Sequence, residues 1–164
     1  MAARVQGAIV AVCISAACGE RKQPMPQAFC RRNHGIEGDA HAGSGERQVS
    51  LLSMTDIDGM RALGIALQHG DFAENVVVSG NVLDGIAVGD TLRIANGPVL
   101  RVTVIGKQCH NSACAIKRQT GTCIMPTRGV FTRVTASGTL APGQRITRRK
   151  AAKRMPKCQA ERSP

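Results

Sequence analysis

The chain reads Val88-Gly89-Asp90-Thr91-Leu92-Arg93-Ile94, then Asn96-Gly97, then an apolar run at residues 99–105, and this stretch indicates the architecture. Polar and apolar residues alternate before the turn, as they do in a strand that buries one face. An Asn-Gly pair between two such segments is a strong signal for a β-hairpin. We therefore predict two antiparallel strands here, joined by a tight turn.

Further strands are predicted on both sides of this hairpin, with turn residues roughly every eight to twelve positions. The predicted segments are residues 5–14, 28–32, 47–53, 72–78, 129–134 and 140–147, with a second hairpin-like turn at Ser137-Gly138. One helix is predicted, with Thr55 as its N-cap and with Ile57, Met60, Leu63 and Leu67 on its apolar face. Many short strands and one convincing helix favour a mainly β barrel or sandwich.

The composition fits one domain followed by a charged tail. The 164 residues can bury a core, which must be aliphatic because the chain has three Phe and no Trp or Tyr. After residue 144 there are eight Lys or Arg and one Glu, so this end carries +7 of the net charge of +11. We predict a domain at residues 1–148 and a disordered basic tail at 149–164 that contacts polyanions weakly. Because no aromatic side chains accompany the charge, we expect no specific nucleic-acid partner.

The seven cysteines favour a reducing compartment. An odd number leaves at least one thiol unpaired, and the spacings do not resemble a disulfide scaffold, so we expect a cytoplasmic protein. The apolar residues 8–18 have the outline of a short signal peptide but also fit a buried strand, which is the interpretation we favour. No apolar run reaches the about 20 residues that a membrane-spanning helix needs.

Three thiols and an imidazole follow the second strand of the hairpin. They lie within fifteen positions of one another: Cys109, His110, Cys114 and Cys123. A loop that leaves a rigid strand keeps reactive groups both fixed and reachable. Nearby basic residues, among them Lys107 and Arg128, would favour the thiolate, which attacks sulfur and binds metals. The segment therefore predicts a site for sulfur or metal chemistry.

A second candidate site lies in the glycine-rich segment 35–45, which contains Asp39 and His41. Glycine lets a backbone approach a ligand closely, although the same composition also fits a flexible turn. Glu74 and Asn75 offer further hydrogen-bonding groups just before a predicted strand, and they fit either a turn or a ligand contact.

Six segments in order resemble the MOSC domain family, which is named for the C-terminal domain of molybdenum cofactor sulfurases. They are Gly38-Asp39-Ala40-His41-Ala42-Gly43, Arg47-Gln48-Val49-Ser50-Leu51-Leu52, Phe72-Ala73-Glu74-Asn75, Val88-Gly89-Asp90, Gly106-Lys107 with the following cysteines, and Cys123-Ile124-Met125-Pro126 with Gly129-Val130-Phe131. The resemblance extends over residues 5–148 and is greatest to small stand-alone bacterial members. It implies a barrel-like β domain with one or two short helices and a role around the molybdenum cofactor.

The resemblance also implies which residues carry the chemistry. Family members are proposed to transfer sulfur through a cysteine or to bind the pterin-held molybdenum with a cysteine thiolate. The matching position is Cys114, with Cys109 and Cys123 as supporting candidates. Two positions depart from the pattern: three residues separate Cys109-His110 from Cys114 instead of two, and Thr127-Arg128 replaces an Arg-Glu pair.

The first hypothesis is a sulfur carrier. Cys114 would take sulfur as a persulfide from a donor such as a cysteine desulfurase and pass it to a molybdoenzyme or to the cofactor. His110, Lys107 and Arg128 would promote the thiolate, and Cys109 or Cys123 would release the sulfur by forming a disulfide.

The second hypothesis is a cofactor-binding module or a molybdopterin-dependent oxidoreductase, with Cys114 as the molybdenum ligand. Arg47, Lys107 and Arg128 would neutralise the pterin phosphate. Asp39 and His41 would orient the pterin or a water molecule, and Asn75 would hydrogen-bond the ligand.

Two further interpretations concern the thiols alone. Cys109, His110, Cys114 and Cys123 have the ligand types of a structural zinc site, although their spacing matches no common zinc ribbon. Ordinary buried thiols are the other interpretation, which fits Cys13 and Cys30 because both lie in predicted strands.

Overall fold

The computed structural model describes residues 5–106, 116, 118, 121 and 123–152. These residues form eleven strands and two helices. In chain order they are β1 (Gln6–Ile14), β2 (Gln23–Met25), β3 (Ala28–Arg31), β4 (Gly35–Ile36), β5 (Val49–Ser53), α1 (Met54–Arg61), β6 (Val76–Gly80), β7 (Thr91–Ile94), β8 (Val99–Ile105), α2 (Met125–Arg128), β9 (Val130–Ala136), β10 (Gly138–Leu140) and β11 (Arg145–Arg149).

Seven of these strands close into a barrel. Their order is β11-β7-β8-β9-β5-β6-β1, and pairing between β1 and β11 completes the circle. Neighbours are antiparallel except β5 and β6, which are parallel because α1 lies in the connection between them. β2 pairs with β1 outside the ring, and β10, β3 and β4 form a separate small sheet. The prediction of a mainly β, barrel-like domain with one or two short helices is confirmed for the described residues.

Two apolar clusters stabilise the barrel, one inside and one outside. The inner cluster contains inward-facing residues of several strands, such as Ile9, Leu100 and Ile146. The outer cluster packs the helices and loops against the barrel wall and includes Leu52, Ile57 and Phe131. All five residues of β5 are buried because this strand faces both clusters.

The prediction that the apolar N-terminal segment forms a buried strand is confirmed by β1. Three other local predictions are wrong. The N-cap of α1 is Ser53, whose hydroxyl accepts the Thr55 N–H, because Ser53 retains the extended backbone of β5. Leu63 is 63% exposed because α1 ends at Arg61, before the helical face reaches it. Ser137-Gly138 does not form the predicted hairpin turn, since the strand that follows it, β10, pairs with β3 and not with β9.

The strand β11 ends at Arg149, and the Ala151 N–H donates to the Asp90 carboxylate. The predicted tail at 149–164 stays a prediction, since residues 153–164 lie outside the described residues. Within the described part of the chain, neither helix has the length and apolar character required to span a membrane.

Candidate functional site

The predicted site residue Asp39 lies at a fully enclosed point where the glycine-rich loop meets the end of β1. The loop is fixed there by backbone hydrogen bonds: the Asp39 N–H donates to the Ile36 carbonyl, and the Ala40 N–H donates to the Ser15 carbonyl. The Asp39 carboxylate accepts the N–H groups of Ser15 and His41. The structure thus joins a loop and a strand that are 24 residues apart.

The cation that neutralises Asp39 is Lys22, a residue that the sequence analysis did not select. Its Nζ lies 2.6 Å from Asp39 Oδ1, 3.2 Å from Ser15 Oγ and 3.1 Å from His41 Nδ1. Both charged side chains are almost inaccessible, at 1% for Lys22 and 0% for Asp39. An ammonium has three N–H donors and no acceptor, so these three contacts use all of them.

This arrangement assigns the tautomer of His41. Because the Lys22 ammonium donates to Nδ1, the neutral ring carries its proton on Nε2. The His41 side chain is 32% exposed, whereas its partners are buried. His41 can therefore offer an N–H donor to a ligand while its other ring nitrogen is held by the protein.

The electrostatics of Asp39 follow from these contacts. Burial alone would raise the pKa of the carboxyl, but the Lys22 ammonium and the backbone N–H groups of Ser15 and His41 hold it well below its usual range. Asp39 is consequently an anion that binds the Lys22 ammonium and the His41 backbone N–H.

Asn75 lies at the junction of three barrel strands. Its Oδ1 accepts the backbone N–H and the hydroxyl of Ser50, and its Nδ2 donates to the Cys13 carbonyl. These bonds tie β1, β5 and the start of β6 together. The ligand contact predicted for Asn75 stays a prediction, and its amide already has protein partners on both ends.

The two described arginines of the predicted site belong to different surroundings. The Arg47 guanidinium lies 5.4 Å from the centre of the Phe131 ring, a cation–π contact at the outer cluster. Arg128, at the end of α2, donates to both oxygens of Asp56 in α1 at 3.0 Å. The hydrogen bonds that Arg128 donates to Asp56, and the negative charge of Asp56, raise the pKa of Arg128. Arg128 and Asp56 therefore form an ion pair that joins α1 and α2.

The described cysteines fall into two classes. Cys13 and Cys30 are completely buried, and burial is the main cause that raises the pKa of each thiol to about 12. Thiols of this kind are inert because the thiolate is not accessible near neutral pH. Cys18 is exposed, with its Sγ 3.6 Å from the Ala40 carbonyl oxygen, and Cys123 is partly buried against the outer cluster.

The remaining predicted residues, Lys107, Cys109, His110 and Cys114, lie outside the described residues. The structure therefore leaves the proposed zinc ligands as a prediction. Within the described ranges, no group of three or more His, Cys, Asp or Glu side chains is arranged to hold a metal ion.

Comparison with known proteins agrees with this architecture. The model of the MOSC domain matches residues 38–147. The YuaD protein of Bacillus subtilis superposes with a TM-score of 0.73 at 18% identity, over 88% of this chain and 96% of that one. YiiM from Geobacillus stearothermophilus superposes with a TM-score of 0.60 at 18% identity, over 90% of this chain and 75% of YiiM. YiiM from Escherichia coli superposes with a TM-score of 0.59 at 14% identity, over 90% of this chain and 71% of YiiM. No curated protein matches significantly in sequence. Since the matched residues make up more than half of its length, the chain belongs to the MOSC domain family, which is linked to functions around the molybdenum cofactor.

Proposed function

We propose that this protein carries sulfur on a reactive cysteine, with Cys114 as the carrier, and delivers it in molybdenum cofactor metabolism. The family supports the cofactor context. The buried state of Cys13 and Cys30 supports the choice of cysteine, because these two thiols are excluded as nucleophiles. The donor would be a cysteine desulfurase or a similar persulfide protein, and the acceptor a molybdoenzyme or its cofactor.

The observation that carries the proposal is the anchoring of the cysteine segment at both ends. Gly106 directly follows β8, and its N–H donates to the Gly129 carbonyl at 2.7 Å. Gly106 has φ +76, and a Cβ there would collide with the Pro126 carbonyl, so this close crossing requires glycine. Ile116 is 3% exposed and belongs to the outer cluster. Cys109 and Cys114 therefore lie in a segment whose two ends are fixed to the barrel.

Cys123 lies on the same outer cluster, which it contacts together with Ile124 at the start of α2. The cluster thus joins Ile116, two residues after Cys114 in the chain, to Cys123. This common support favours Cys123 as the thiol that resolves a persulfide on Cys114, while Cys109 is the alternative on sequence grounds.

The transfer needs no external oxidant. The Cys114 thiolate attacks the outer sulfur of the donor persulfide, whose S–S bond breaks, and the donor leaves as a thiolate. The product is a persulfide on Cys114. A second thiolate, from Cys109 or Cys123, can then attack the inner sulfur, so that a disulfide forms and the outer sulfur leaves as hydrosulfide or passes to the acceptor.

The described side chains include hydrogen-bond donors and cations of the kinds that a pterin phosphate would require. His41 offers its Nε2 proton, and Arg47 and Arg128 could contact the pterin phosphate. Asp39 would act through Lys22 and His41, since its carboxylate is enclosed. The metal would be held by Cys114, and when bound the cofactor would supply molybdenum-centred sulfur or oxygen chemistry.

Intact mass analysis tests the carrier directly. Protein incubated with a cysteine desulfurase and cysteine should gain the mass of one sulfur atom, and the gain should disappear after mild reduction. Cys114→Ser should abolish the gain. Cys18→Ser, which removes an exposed thiol outside the segment, is the matched control and should keep it. An adduct that persists in Cys114→Ser, or none in the wild type, contradicts the proposal.

Molybdenum and pterin analysis separates the cofactor-binding form of the proposal from the pure carrier. Co-purification with both groups, lost in Cys114→Ser, would support cofactor binding. A sulfur adduct without either group would support a carrier that meets the cofactor only on its acceptor.

A further inference from the structure

One side of the barrel wall carries five arginines on its outer surface, which we call the arginine face. On β7, β8, β9 and β11 the alternate residues that point away from the core include Arg93, Arg101, Arg133, Arg145 and Arg149. Threonines lie between them on the same surface, such as Thr91 and Thr147. Of the helices given above, α1 contacts β5 and β6, and α2 contacts β5 and β8.

Strand register places these arginines side by side. Arg101 pairs with Arg133 across β8 and β9, and it pairs with Thr91 on its other side. Thr91 in turn pairs with Arg149, while Arg93 pairs with Thr147. Adjacent strands lie about 4.8 Å apart, so the row from β11 to β9 spans about 15 Å.

The charge on this face is largely uncompensated. The Arg133 guanidinium binds Glu46 at 3.0 Å. In the described ranges, the other four arginines have no carboxylate within 4.0 Å. Like charges directly opposite each other on a sheet are destabilising. The surface is therefore electrostatically suited to an anionic ligand.

Part of the face is concave. A groove of about 750 Å³ is lined by Arg93, Arg145, Thr147 and Gln6, together with Val99 and the backbone of Gly97. Arginines and threonine hydroxyls on a groove wall are the groups that hydrogen-bond phosphate oxygens. The basic sequence of residues 150–164 follows β11 directly, so further positive charge begins at the edge of the face.

We propose that the arginine face binds the phosphate backbone of double-stranded nucleic acid without sequence preference. Single strands are recognised by stacking on aromatic side chains. Phe72 and Phe131 are buried, Phe29 lies on β3, and the chain has no Trp or Tyr, so this face offers no stacking surface. The core of a protein–protein interface is apolar and rich in aromatic side chains, which a surface of arginine and threonine does not provide.

The test measures binding of the full chain to a random-sequence 24-base-pair DNA duplex by fluorescence anisotropy at several salt concentrations. The face variant is Arg93→Gln/Arg101→Gln/Arg145→Gln. The matched control is Arg21→Gln/Arg31→Gln/Arg32→Gln, which removes three charges outside this face and lowers the net charge of +11 equally. Both variants keep the basic C-terminal sequence, so their difference isolates the face.

We expect the face variant to bind the duplex at least about tenfold more weakly at 0.1 M salt. The slope of log binding constant against log salt concentration should become shallower by about 2 to 3, because each phosphate contact contributes about 0.9 to this slope. The control should change neither value appreciably. The melting temperature of the face variant should be unchanged or slightly higher, since Arg101 faces Arg133. The single variant Arg93→Gln gives a second measurement, with a slope reduced by about 0.9.

Three outcomes would overturn the proposal. Equal slopes in the two triple variants would assign the binding to the C-terminal sequence. Preferential binding of poly-L-glutamate over the duplex would identify an acidic protein as the ligand. Affinities that differ strongly between duplex sequences would show base recognition, which this face does not provide.

Discussion

Asp39 and Glu74 are both buried carboxylic acids, yet their environments move their pKa values in opposite directions. Asp39 is 6% exposed and Glu74 is 0% exposed. The pKa of Asp39 lies well below its usual range, whereas burial raises the pKa of Glu74 from 4.5 to about 6. Burial alone therefore does not determine whether a carboxylic acid in this protein is ionised.

The difference lies in their partners. Asp39 has the Lys22 ammonium at 2.6 Å, whereas Glu74 has the N–H groups of Gly70 and Phe72, and the nearby Asp71 raises its pKa further. The two regions meet at Gly70, whose carbonyl accepts the Lys22 N–H and whose own N–H donates to Glu74. Gly70 has φ +93 and leaves no room for a Cβ beside the Lys22 carbonyl. The loop that contains Asp39 is thus stabilised by an ion pair, and it adjoins the turn before Glu74, which is stabilised by backbone N–H donors.

The largest expected effect is that of Lys22→Met, which would make the environment of Asp39 resemble that of Glu74. Removing one partner of a buried ion pair leaves an uncompensated charge, so we expect a loss of about 3–5 kcal/mol in unfolding free energy at pH 7. Urea denaturation measures it.

The double variant Lys22→Met/Asp39→Asn is the control, because it removes the stranded charge. It should recover a substantial part of the loss. A loss below about 1 kcal/mol in Lys22→Met would mean that the pair contributes no more than an exposed one.

The second prediction concerns the pH dependence of stability. Glu74 has a raised pKa in the folded state, so its contribution is present below pH 4.5 and is lost as the pH rises through about 6. The shift corresponds to about 2 kcal/mol. Asp39 behaves oppositely, since its stabilisation is present above 3.8 and is lost only as the pH falls.

Unfolding free energies of the wild type and Glu74→Gln, measured from pH 4 to pH 7, test this contrast. The advantage of the wild type over the variant should shrink by about 2 kcal/mol across the range. Glu74→Gln also weakens one of the two N–H contacts, so the change with pH is the diagnostic quantity. Parallel curves would show that Glu74 titrates normally.

The smallest effect is expected for the ion pair between Arg128 and Asp56, whose side chains are 52% and 18% exposed. Solvent screens such a pair, so the coupling energy from Arg128→Gln, Asp56→Asn and the double variant should be at most about 1 kcal/mol and should fall with salt. A coupling of several kcal/mol, insensitive to salt, would place this pair in the same class as Lys22 and Asp39.

Periodic segments allowed much of the fold to be predicted. The hairpin at Asn96-Gly97 and the strand at residues 99–105 occur as expected, because alternation and turn chemistry are local properties. The N-cap was displaced from Thr55 to Ser53 because both are good capping residues and the backbone of β5 decides between them.

The candidate site was predicted less completely. Asp39 and His41 were identified as chemically distinctive in a glycine-rich loop, and the structure brings them together. Lys22 was missed because it lies in a polar, proline-containing connection without periodicity, and its burial depends on contacts 17 and 19 residues away. A lysine in such a segment ordinarily signals solvent exposure, and only tertiary structure reverses that expectation.

The most direct test of the proposed role is residue-resolved alkylation of the native protein, in which brief iodoacetamide treatment is followed by peptide mass mapping. The account predicts that Cys114 and Cys109 are modified early, as is the exposed Cys18, that Cys123 follows, and that Cys13 and Cys30 react only after unfolding. Modification of Cys13 or Cys30 in the folded protein as rapidly as Cys114 would contradict the assignment of sulfur transfer to the segment between Gly106 and Ile116.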